Sequence, residues 1–434
     1  MKCVIICGGK ATRMGTSCAD VPKALTLING KPLLHYQLAH MKTQGITDIV
    51  ICAGYLAKHI QQYCGDGSQW DVKITYSIES IPLGTAGAVK LAEVLLLDET
   101  FLVVYGDLMI NIDIHRLISF HHKHGGVGTI VVHPNDHPFD SDLVEHNAEK
   151  QITKFTLKPH SQEKIARNIT SAAMYLLEPT VLSMIPQNVN CDFVHDIFPK
   201  LVKKKMQLYA YNTSEYLKDM GTSERLAQVA HDVAIGKVER MTLRIPRKAI
   251  FLDRDGVLVE YQDLITHHKE LLLLPGVTDA IKVINKSEYL AIVVTNQPSI
   301  AKGMCTEANI EKQHAKLDTL LGRAGVKLDA IYHCPHHPEK GFQGENKAFK
   351  IACECRKPAP GMLLNAAKEF NLDLSGSFII GDSTVDIAAG KAAGVRSLGV
   401  QTGWGLNDGK IAITPERMFQ NVYEAVKWIV QGEN

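Results

Sequence analysis

The stretch KAIFLDRDGV at residues 248–257 decides the fold of the second half of the chain. Its apolar run at 248–252 predicts a buried β-strand, and Asp253 and Asp255 follow directly at the end of that strand. Two carboxylates two positions apart suit a nucleophile and a general acid–base, with Mg²⁺ shielding the charge of a phosphoryl group. Calcium loops also contain D-x-D-G, but the apolar residues 257–259 offer no oxygen side chains to calcium.

Three later segments supply the other groups that such a site needs. Hydroxyl, amide and ammonium groups can hold a phosphoryl group, and further carboxylates can hold Mg²⁺. Each of these residues alone is typical of a helix cap or an exposed surface, so it is the ordered set that indicates a site. The segments are Thr295-Asn296-Gln297 after the strand at 290–294, Arg356-Lys357-Pro358, and Asp382 with Asp386 after the strand at 377–380.

A pattern of cysteine and histidine lies between the first and second of these segments. Cys334 and either His336 or His337 are followed by Cys353 and Cys355, which offers four soft ligands for a closed tetrahedral Zn²⁺ site. The alternative is three buried free cysteines. The loop between the two pairs lacks an apolar core of its own, so a bound metal could order it.

The first half of the chain opens on a predicted strand at residues 3–7, which runs into Gly8-Gly9 and then Arg13. A glycine-rich turn after a strand lets backbone N–H groups close on a phosphate, while Arg13 and Lys23 supply positive charge. The alternative is a Gly-Gly turn that serves packing and a lysine in an ordinary loop.

Small residues and two acidic residues complete the candidate site of the first half. The run at 84–87 precedes a predicted helix, where small side chains permit close approach of a flat ring or a sugar. The alternative there is a helix N-cap at Thr85. Asp107 follows the strand at 101–105, where α/β sheets place functional carboxylates. Together with Asp219 it could hold one Mg²⁺ that bridges substrate phosphates, although each aspartate alone is typical of a turn or a cap.

Short apolar runs alternate with amphipathic segments along both halves. This alternation predicts an α/β fold with largely parallel sheets, as two Rossmann-like three-layer domains in tandem, the second with a zinc-binding loop. A polar and basic stretch between the halves predicts a linker at 236–247, so the two domains are expected at 1–235 and 248–434.

The composition limits the classes of function. Of 434 residues 45% are hydrophobic and 21% charged, and the formal net charge is +1, so no overall basic field points to nucleic acid or to an anionic membrane. No apolar run approaches the roughly 18–20 residues that span a bilayer. Ten cysteines in a chain of this length do not make the disulfide framework of a small secreted protein. We therefore expect a reduced, cytoplasmic protein that binds neither nucleic acid nor membrane.

Three weaker signals are assigned to structure rather than to function. The run HHKH at 121–124 resembles a metal site but has no second ligand pair, so a solvated helix end is expected there. The lysine run at 203–205 is expected on a solvated face. Trp428 lies in a predicted amphipathic helix at 422–430 and is expected to pack in the core.

The motifs of residues 248–402 resemble those of the haloacid-dehalogenase-like phosphatases. With Gly303 and the run CECRKP at 353–358, they look like the zinc-bearing D-glycero-D-manno-heptose-1,7-bisphosphate 7-phosphatases, whose close relatives are the histidinol-phosphate phosphatases. The resemblance implies that Asp253 is the nucleophile that forms an aspartyl phosphate and that Asp255 is the general acid and then the base. Ser383 departs from the basic residue that commonly follows Gly-Asp. The resemblance further implies that the substrate is bound by Thr295, Asn296, Arg356 and Lys357. Mg²⁺ would be bound by Asp253, Asp382 and the main-chain carbonyl of Asp255, with Asp386 supporting that site. Zn²⁺ would be bound by Cys334, His336, Cys353 and Cys355.

The motifs of about the first 230 residues are similar, in the same order, to those of the sugar-1-phosphate nucleotidyltransferases, and most like the branch of heptose-1-phosphate and mannose-1-phosphate guanylyltransferases. In this family a sugar phosphate oxygen attacks the α-phosphorus of a nucleoside triphosphate and pyrophosphate leaves. Ala11 stands where the family usually has a third glycine, and Leu157 where an acidic residue often precedes the sugar-phosphate lysine. The resemblance implies that Arg13 contacts the pyrophosphate, Lys23 the α-phosphate and Lys158 the sugar phosphate. Mg²⁺ would be bound by Asp107 and Asp219. The nucleoside would be contacted by Gly8, Gly9, Gly84, Thr85 and Gly87.

Together the two resemblances predict a bifunctional enzyme that removes the 7-phosphate of heptose 1,7-bisphosphate and then transfers a nucleotidyl group, GMP from GTP, to heptose 1-phosphate. Its partners are a nucleoside triphosphate and sugar phosphates, and its cofactors are Mg²⁺ in both domains and structural Zn²⁺ in the second. One alternative joins a mannose- or amino-sugar-1-phosphate nucleotidyltransferase to a histidinol-phosphate-like phosphatase. Another is a non-catalytic ligand-binding regulator, which Ala11 and Ser383 motivate.

Overall fold

The computed structural model describes residues 1–9, 21–97, 99–161, 163–262 and 264–432. Its residues form two compact units, which are described separately. The first unit consists of Met1–His133, Ser141–Lys158 and Ile169–Thr242, and the second of Pro134–Asp140, Pro159–Asn168 and Leu243–Asn434. The chain passes between the units several times, and the last passage lies between Thr242 and Leu243. This point is inside the stretch 236–247 expected as a linker, which also contains a short helix, α7 (Lys237–Arg240).

The first unit is built from thirteen strands and seven helices in its described part. The strands are β1 (Cys3–Ile6), β2 (Leu27–Ile28), β3 (Lys31–Pro32), β4 (Asp48–Ala53), β5 (Lys73–Ile78), β6 (Phe101–Tyr105), β7 (Leu108–Asn111), β8 (Gly128–His133), β9 (Leu143–His146), β10 (Ile152–Thr156), β11 (Thr170–Leu177), β12 (Leu208–Asn212) and β13 (Tyr216–Asp219). The helices are α1 (Leu33–Thr43), α2 (Ala57–Cys64), α3 (Gly84–Leu91), α4 (Ile114–His124), α5 (Phe198–Lys203), α6 (Ser223–Ala234) and α7.

The main sheet of the first unit has the order β10-β9-β11-β6-β1-β4-β5, and β8 pairs with both β11 and β12. Strands β6, β1, β4 and β5 are parallel, whereas β11 runs antiparallel to β6 and β8. The predicted α/β fold is confirmed for this unit, but its main sheet is mixed rather than largely parallel. A separate antiparallel pair joins β13 to β7, the strand that follows β6 directly in sequence.

The second unit confirms the predicted doubly wound α/β architecture. Its strands are β14 (Ala249–Leu252), β15 (Leu290–Asn296), β16 (Ala330–Cys334), β17 (Phe378–Gly381), β18 (Arg396–Val400) and β19 (Arg417–Phe419), and its helices are α8 (Val277–Lys286), α9 (Glu307–Arg323), α10 (Gly361–Phe370), α11 (Thr384–Ala393) and α12 (Val422–Gln431). All strands are parallel in the order β16-β15-β14-β17-β18-β19. The chain reverses its direction of winding between β14 and β17, and such a switch point opens a crevice at the carboxyl ends of the strands.

Both faces of this second sheet are covered. Ile250 and Leu252 of β14 belong to one buried apolar cluster, which also contains α8 and α12, whereas Ala249 and Phe251 belong to another with α10. Alternate residues of a strand point to opposite faces, so a strand buried on both sides is apolar throughout. Trp428 packs against the first of these clusters, as expected.

One expectation about the surface is wrong. The run at 121–124 does end helix α4, but His121 is buried, with Nδ1 2.8 Å from Thr129 Oγ1 and Nε2 2.9 Å from Glu178 Oε1. Both partners lie later in the chain, so the local sequence of the helix end does not reveal them. Among the described helices, none is both long and apolar enough to cross a membrane.

Candidate active sites and metal centre

Three buried carboxylates meet at the switch point of the second unit. Asp253 follows β14, and Asp382 and Asp386 follow β17 at the start of α11. One oxygen from each carboxylate lies within 4.8 Å of the other two. The parallel pairing of β14 with β17 produces this juxtaposition, because it brings the carboxyl ends of the two strands together. The sequence prediction that Asp253 and Asp382 lie close together agrees with this placement.

Lys357 supplies the positive charge inside this carboxylate cluster. Its Nζ is buried and lies 2.9 Å from Asp253 Oδ1 and 2.6 Å from Asp386 Oδ1, and it donates a hydrogen bond of 2.7 Å to the carbonyl oxygen of Val294. Burial by itself would lower the pKa of Lys357, but the two carboxylates raise it above its usual value. The ammonium group is therefore charged at neutral pH and can hold an anion.

One ammonium group does not balance three carboxylates. Burial, followed by repulsion from Asp386, raises the pKa of Asp253 to about 6. Burial and the charges of Asp253 and Asp386 raise the pKa of Asp382 to about 8. Mg²⁺ prefers carboxylate oxygens, so the surplus of negative charge and the type of donor fit a divalent cation at Asp253 and Asp382.

A glycine-containing loop after β18 closes around Asp382. The backbone N–H of Trp404 donates a hydrogen bond of 2.8 Å to Asp382 Oδ2. Gly256 and Gly403 both have positive φ angles, of 85° and 62°, and a Cβ atom at either position would collide with the Asp382 carboxylate. Only glycine allows the two backbones to approach the carboxylate this closely. The sequence analysis did not single out this loop.

Asp255 is held in place by residues that the sequence analysis did not assign. Arg254 donates from Nε to Asp255 Oδ1 at 3.1 Å and from Nη2 to Oδ2 at 3.0 Å, and Gln297 Nε2 donates to Oδ2 at 2.7 Å. Arg254 is itself buried, and its Nη1 donates to Gln313 of α9 at 2.9 Å. A forked arginine–carboxylate contact fixes the direction of the carboxylate as well as its charge.

The remaining residues of the predicted substrate site have structural partners in this conformation. Thr295 Oγ1 is buried and accepts a hydrogen bond of 2.9 Å from Gln297. Asn296 donates to the carbonyl of Lys357 at 2.9 Å and accepts from its N–H at 3.0 Å, so its amide holds the Lys357 backbone. Arg356 Nη1 donates to the carbonyl of His336 at 3.1 Å. Ser383 is the N-cap residue of α11, and it donates its hydroxyl hydrogen to the carboxylate of Asp408.

The predicted zinc ligands come together as one group. Cys334 ends β16, and its Sγ lies 3.5 Å from that of Cys353 and 3.1 Å from that of Cys355. His336 Nδ1 lies 3.3 Å from Cys355 Sγ and 3.7 Å from Cys334 Sγ. Zn–S bonds of about 2.3 Å in a tetrahedron separate the sulfurs by roughly 3.7 Å, and the free cysteines cluster near that spacing. Three sulfurs and one imidazole therefore fit Zn²⁺, with His336 rather than His337 in the group.

Two histidines and a glutamate form another group of possible metal ligands in the second unit. His314 of α9 is buried, its ring centroid is 5.1 Å from that of His333, and its Nδ1 is 3.7 Å from Glu311 Oε1. The pKa of His314 is lowered to about 3, mainly by burial. Positive charge on His333, Arg254 and Arg167 lowers it further, and contact with Glu311 partly opposes this by raising it. Because the two arginines place positive charge beside this cluster, we assign no cation to it.

His314 is expected to make the stability of the second unit sensitive to acid. The unfolded histidine takes up a proton below its pKa of about 6.5, whereas the folded one stays neutral down to about pH 3, so stability falls as the pH drops below about 6.5. Between pH 7.5 and pH 5 the wild type should lose about 2 kcal/mol more unfolding free energy than His314→Gln, measured by urea titration with Mg²⁺ present. The exposed control, His115→Gln, should keep the wild-type pH dependence. An identical pH dependence in His314→Gln would contradict the assignment.

In the first unit, Lys23 and the two predicted magnesium aspartates lie around the end of β6. Lys23 Nζ forms an ion pair with Asp107. Asp219 is paired with Leu108 in the β13–β7 register, and the N–H of Met220 donates to the carbonyl of Asp107 at 3.0 Å, so the two aspartates are on neighbouring segments. Arg225, which the sequence analysis did not assign, donates from Nη1 to both oxygens of Asp219, at 3.0 and 2.8 Å.

Glu79 occupies the space beside the predicted phosphate turn. It follows β5, and its Oε2 accepts a hydrogen bond of 3.1 Å from the N–H of Leu83. A Cβ atom on Gly8 or on Gly54 would collide with the Glu79 carboxylate, whereas one on Gly9 would meet no atom of the described chain within 4 Å. Burial raises the pKa of Glu79 above its usual value. Glu79 is not among the site residues that were expected from the sequence.

The small residues in the first turn of α3 pack against a later segment of the chain. A Cβ atom on Gly84 would meet the carbonyl oxygen of Cys191, and one on Gly87 that of Val189. Thr85 does not cap the helix, which begins at Gly84. Its hydroxyl instead donates to Asp192 Oδ2 at 2.7 Å and accepts from the N–H of Phe193 at 3.0 Å.

The predicted sugar-phosphate lysine lies after β10, apart from the elements that carry Asp107. The backbone N–H of Lys158 donates to Asp142 Oδ1 at 3.0 Å, and His195 Nε2 lies 3.5 Å from the same oxygen. Arg13 and Ala11 lie outside the described residues, so the expectations about them stay predictions.

Each half of the chain matches known proteins. The family model described as Nucleotidyl transferase matches residues 2–235, and the one described as HAD-hydrolase-like matches residues 354–425. The D-glycero-beta-D-manno-heptose-1,7-bisphosphate 7-phosphatase of Rhodopseudomonas palustris is 40% identical over 156 residues, which cover 36% of this chain and 84% of that protein. The protein of the same name from Escherichia coli K12 is 41% identical over 147 residues, 34% of this chain and 75% of that protein. A crystal structure of HddC from Yersinia pseudotuberculosis matches with a TM-score of 0.48 and 24% identity, over 54% of this chain and 99% of that one.

These matches define the class of protein: a bifunctional sugar-phosphate enzyme that carries a nucleotidyltransferase domain and a HAD-like phosphatase domain. The chain belongs to the Nucleotidyl transferase family through its first half and to the family of the heptose-1,7-bisphosphate 7-phosphatases through its second.

Proposed function

We propose that the second domain, at 248–434, removes the 7-phosphate of D-glycero-D-manno-heptose 1,7-bisphosphate, and that the first, at 1–235, transfers GMP from GTP to the resulting heptose 1-phosphate. The observation that carries the phosphatase assignment is the cluster of Asp253, Asp382 and Asp386 around the ammonium group of Lys357. The similarity to the two named phosphatases supports the choice of substrate. Thiolate zinc ligands and a nucleoside triphosphate substrate both suit a reducing cytoplasm.

The phosphatase step begins with attack of an Asp253 carboxylate oxygen on the phosphorus of the 7-phosphate. The bond from phosphorus to the sugar oxygen breaks, and Asp255 donates its proton to that oxygen, which leaves as the C7 hydroxyl of heptose 1-phosphate. Asp255 then takes a proton from water, whose oxygen attacks the phosphorus of the aspartyl phosphate and releases inorganic phosphate and the Asp253 carboxylate. In this conformation Arg254 and Gln297 donate hydrogen bonds to both oxygens of Asp255.

Two metal ions are part of this proposal. Asp253, Asp382 and the main-chain carbonyl of Asp255 would hold Mg²⁺, which shields the negative charge of the phosphoryl group when bound. Cys334, His336, Cys353 and Cys355 would hold structural Zn²⁺. Lys357 faces the carboxylates from within the cluster and can bind a phosphoryl oxygen, since its ammonium group stays charged.

In the transferase step, an oxygen of the sugar 1-phosphate attacks the α-phosphorus of the nucleoside triphosphate, and pyrophosphate leaves. Positioning and neutralisation of charge are enough for this displacement, so no protein nucleophile is needed. Lys23 would neutralise the α-phosphate and Arg13 the departing pyrophosphate. Asp107 and Asp219 would hold Mg²⁺, and Lys158 the phosphate of the sugar. In this conformation Lys23 and Arg225 neutralise the two aspartates.

One assay tests both halves of the proposal. The full chain is given heptose 1,7-bisphosphate with GTP, ATP, UTP or CTP, and phosphate and pyrophosphate are measured separately. Phosphate release should be independent of the nucleotide, whereas pyrophosphate should appear only with GTP and only after phosphate has been released. Release of phosphate from histidinol phosphate but not from the heptose would contradict the proposed substrate, and pyrophosphate release with mannose 1-phosphate alone would contradict the proposed acceptor.

The Glu79 carboxylate provides a test of the choice of GTP. Guanine offers two neighbouring donors, N1–H and the 2-amino group, and a carboxylate can accept from both. We expect Glu79→Gln to lower kcat/KM for GTP by about 10- to 100-fold, because the amide NH₂ cannot accept and one charge-assisted hydrogen bond contributes about 1.5–3 kcal/mol. Pyrophosphate release is measured with heptose 1-phosphate. The exposed control, Glu149→Gln, should behave as the wild type. If Glu79→Gln has the same kcat/KM for GTP as the wild type, Glu79 does not bind the base.

A further inference from the structure

Two exposed aromatic rings form a corner beside the carboxylate cluster of the second unit. The ring centroids of Tyr261 and Trp404 are 5.2 Å apart, and the rings are inclined by 63°. Tyr261 is 37% exposed and Trp404 39% exposed, in a protein where most aromatic rings are covered. We call these two side chains the aromatic corner. Paired apolar side chains that stay in water next to polar catalytic groups are typical of a ligand site.

The backbone connects both rings to the reacting groups. The N–H of Trp404 donates to Asp382 Oδ2 at 2.8 Å, and the hydroxyl of Thr402, two residues earlier, donates to the carbonyl of Gly256 at 2.6 Å. The segment that leads to Tyr261 turns directly after Asp255, where the N–H of Gly256 donates to the carbonyl of Val259 at 2.8 Å. The corner is therefore built by the loop that closes around Asp382 and by the segment that follows the proposed acid–base Asp255.

A lysine adds positive charge to the corner. Lys410 Nζ lies 5.5 Å from the Trp404 ring centroid, and the side chain is 52% exposed. Its nearest carboxylate, Asp408, is 3.7 Å away, a distance that leaves the ammonium donors available. Asp408 is already engaged, since it accepts hydrogen bonds from the hydroxyl and the N–H of Thr384 at 2.6 and 3.1 Å.

We propose that the aromatic corner holds the sugar ring of the phosphatase substrate and that Lys410 pairs with a second phosphate on that sugar. This inference rests on the proposed function and extends it to the choice of bisphosphorylated sugars over monophosphates. The faces of aromatic rings carry partial negative charge, which attracts the weakly positive C–H groups on one face of a sugar, while Lys410 matches the charge of a distant phosphate. The phosphate that reacts is held separately by the Lys357 and carboxylate cluster.

The test compares three substrates that share the reacting phosphate but differ in the rest of the molecule. Heptose 1,7-bisphosphate carries both the ring and the second phosphate, heptose 7-phosphate only the ring, and acetyl phosphate neither. Trp404→Ala should lower kcat/KM for both heptose substrates at least tenfold more than for acetyl phosphate, mainly through KM. Lys410→Gln should lower kcat/KM for the bisphosphate about tenfold. The ratio of kcat/KM for heptose 7-phosphate to kcat/KM for acetyl phosphate should stay as in the wild type. Tyr261→Phe keeps the aromatic ring and should retain the wild-type preference for the heptose substrates over acetyl phosphate, whereas Tyr261→Ala should lose this preference.

The C-terminal helix α12 offers a matched control. Lys427 Nζ lies 5.5 Å from the ring centroid of Tyr423, which repeats the lysine-over-aromatic arrangement outside the carboxylate cluster. Lys427→Gln should leave the discrimination among the three substrates as in the wild type. A loss of the same size for all three substrates in Trp404→Ala would show that Trp404 only supports Asp382, and would overturn the inference. If Trp404→Ala has wild-type kinetics but a changed oligomeric state, the inference would also be overturned, because the corner would then be a protein contact.

Failure of the proposed function gives a different result. In that case the wild type hydrolyses acetyl phosphate but releases no phosphate from either heptose substrate. The same variants are then compared on fructose 1,6-bisphosphate, which has a sugar ring and a second phosphate, and on fructose 6-phosphate, which has only the ring. If Lys410→Gln lowers kcat/KM for the bisphosphate only, the result would support the aromatic corner as a site for sugar bisphosphates. If all the variants keep the wild-type ratio of kcat/KM between the two fructose substrates, the inference would be overturned.

Discussion

Asp253→Asn is expected to lower phosphate release from heptose 1,7-bisphosphate by about a thousandfold or more. An amide oxygen is a poor nucleophile, and asparagine has the same shape as aspartate, so the loss would report chemistry rather than packing. The variant should fold normally, because it removes one negative charge from a cluster in which Asp253 and Asp386 raise the pKa of Asp382. Phosphate release is measured with Mg²⁺ present, and the free energy of unfolding is measured in parallel.

Two controls accompany this prediction. Asp279→Asn changes an exposed carboxylate on α8 in the same unit and should leave phosphate release as in the wild type. When heptose 1-phosphate is supplied, Asp253→Asn should still release pyrophosphate, because Asp253 belongs to the second unit and the proposed transferase groups to the first. Phosphate release above a tenth of the wild-type rate would exclude Asp253 as the nucleophile.

The sequence predicts the position of the carboxylate cluster for a physical reason. In a parallel sheet, residues that directly follow neighbouring strands meet at one edge, so Asp253 and Asp382 could be placed together once both strands had been identified. The zinc ligands are equally readable, because C-x-H and C-x-C each bring two ligands together locally. The structure has both groups assembled. Here short-range sequence patterns determine most of the geometry.

The remaining features depend on contacts between distant parts of the chain. Gln313 meets Arg254 across 59 positions, and His121 meets Glu178 across 57, so neither contact follows from local periodicity. The antiparallel strand β11 in the first unit depends on pairing with β6 and β8, which the apolar pattern of β11 does not specify. Trp404 follows a strand and a turn like many other loop residues. Only its hydrogen bond to Asp382 shows that it belongs to the site.

Cys355→Ser is expected to remove the zinc from the chain and to lower phosphatase kcat/KM by about 100-fold while pyrophosphate release from heptose 1-phosphate continues. Arg356 and Lys357 follow Cys355 directly, and the Arg356 guanidinium bonds the carbonyl of the neighbouring ligand, His336. Loss of the metal would therefore release the segment that carries the Lys357 ammonium group into the carboxylate cluster. Metal analysis should show one zinc ion per chain in the wild type and none in the variant.

Limited proteolysis separates this explanation from a direct role of the sulfur in catalysis. Residues 335–352 include no strand or α-helix, so without zinc they should be cut much faster, and chelation of the wild type should reproduce both the cleavage and the loss of activity. The control is Cys305→Ser, which changes a half-buried thiol outside the ligand group, 3.1 Å from Ser299 Oγ. It should keep its zinc and its activity. Full phosphatase activity in a metal-free Cys355→Ser chain would mean that Asn296, which binds the Lys357 backbone, is sufficient to hold the lysine in place without the metal.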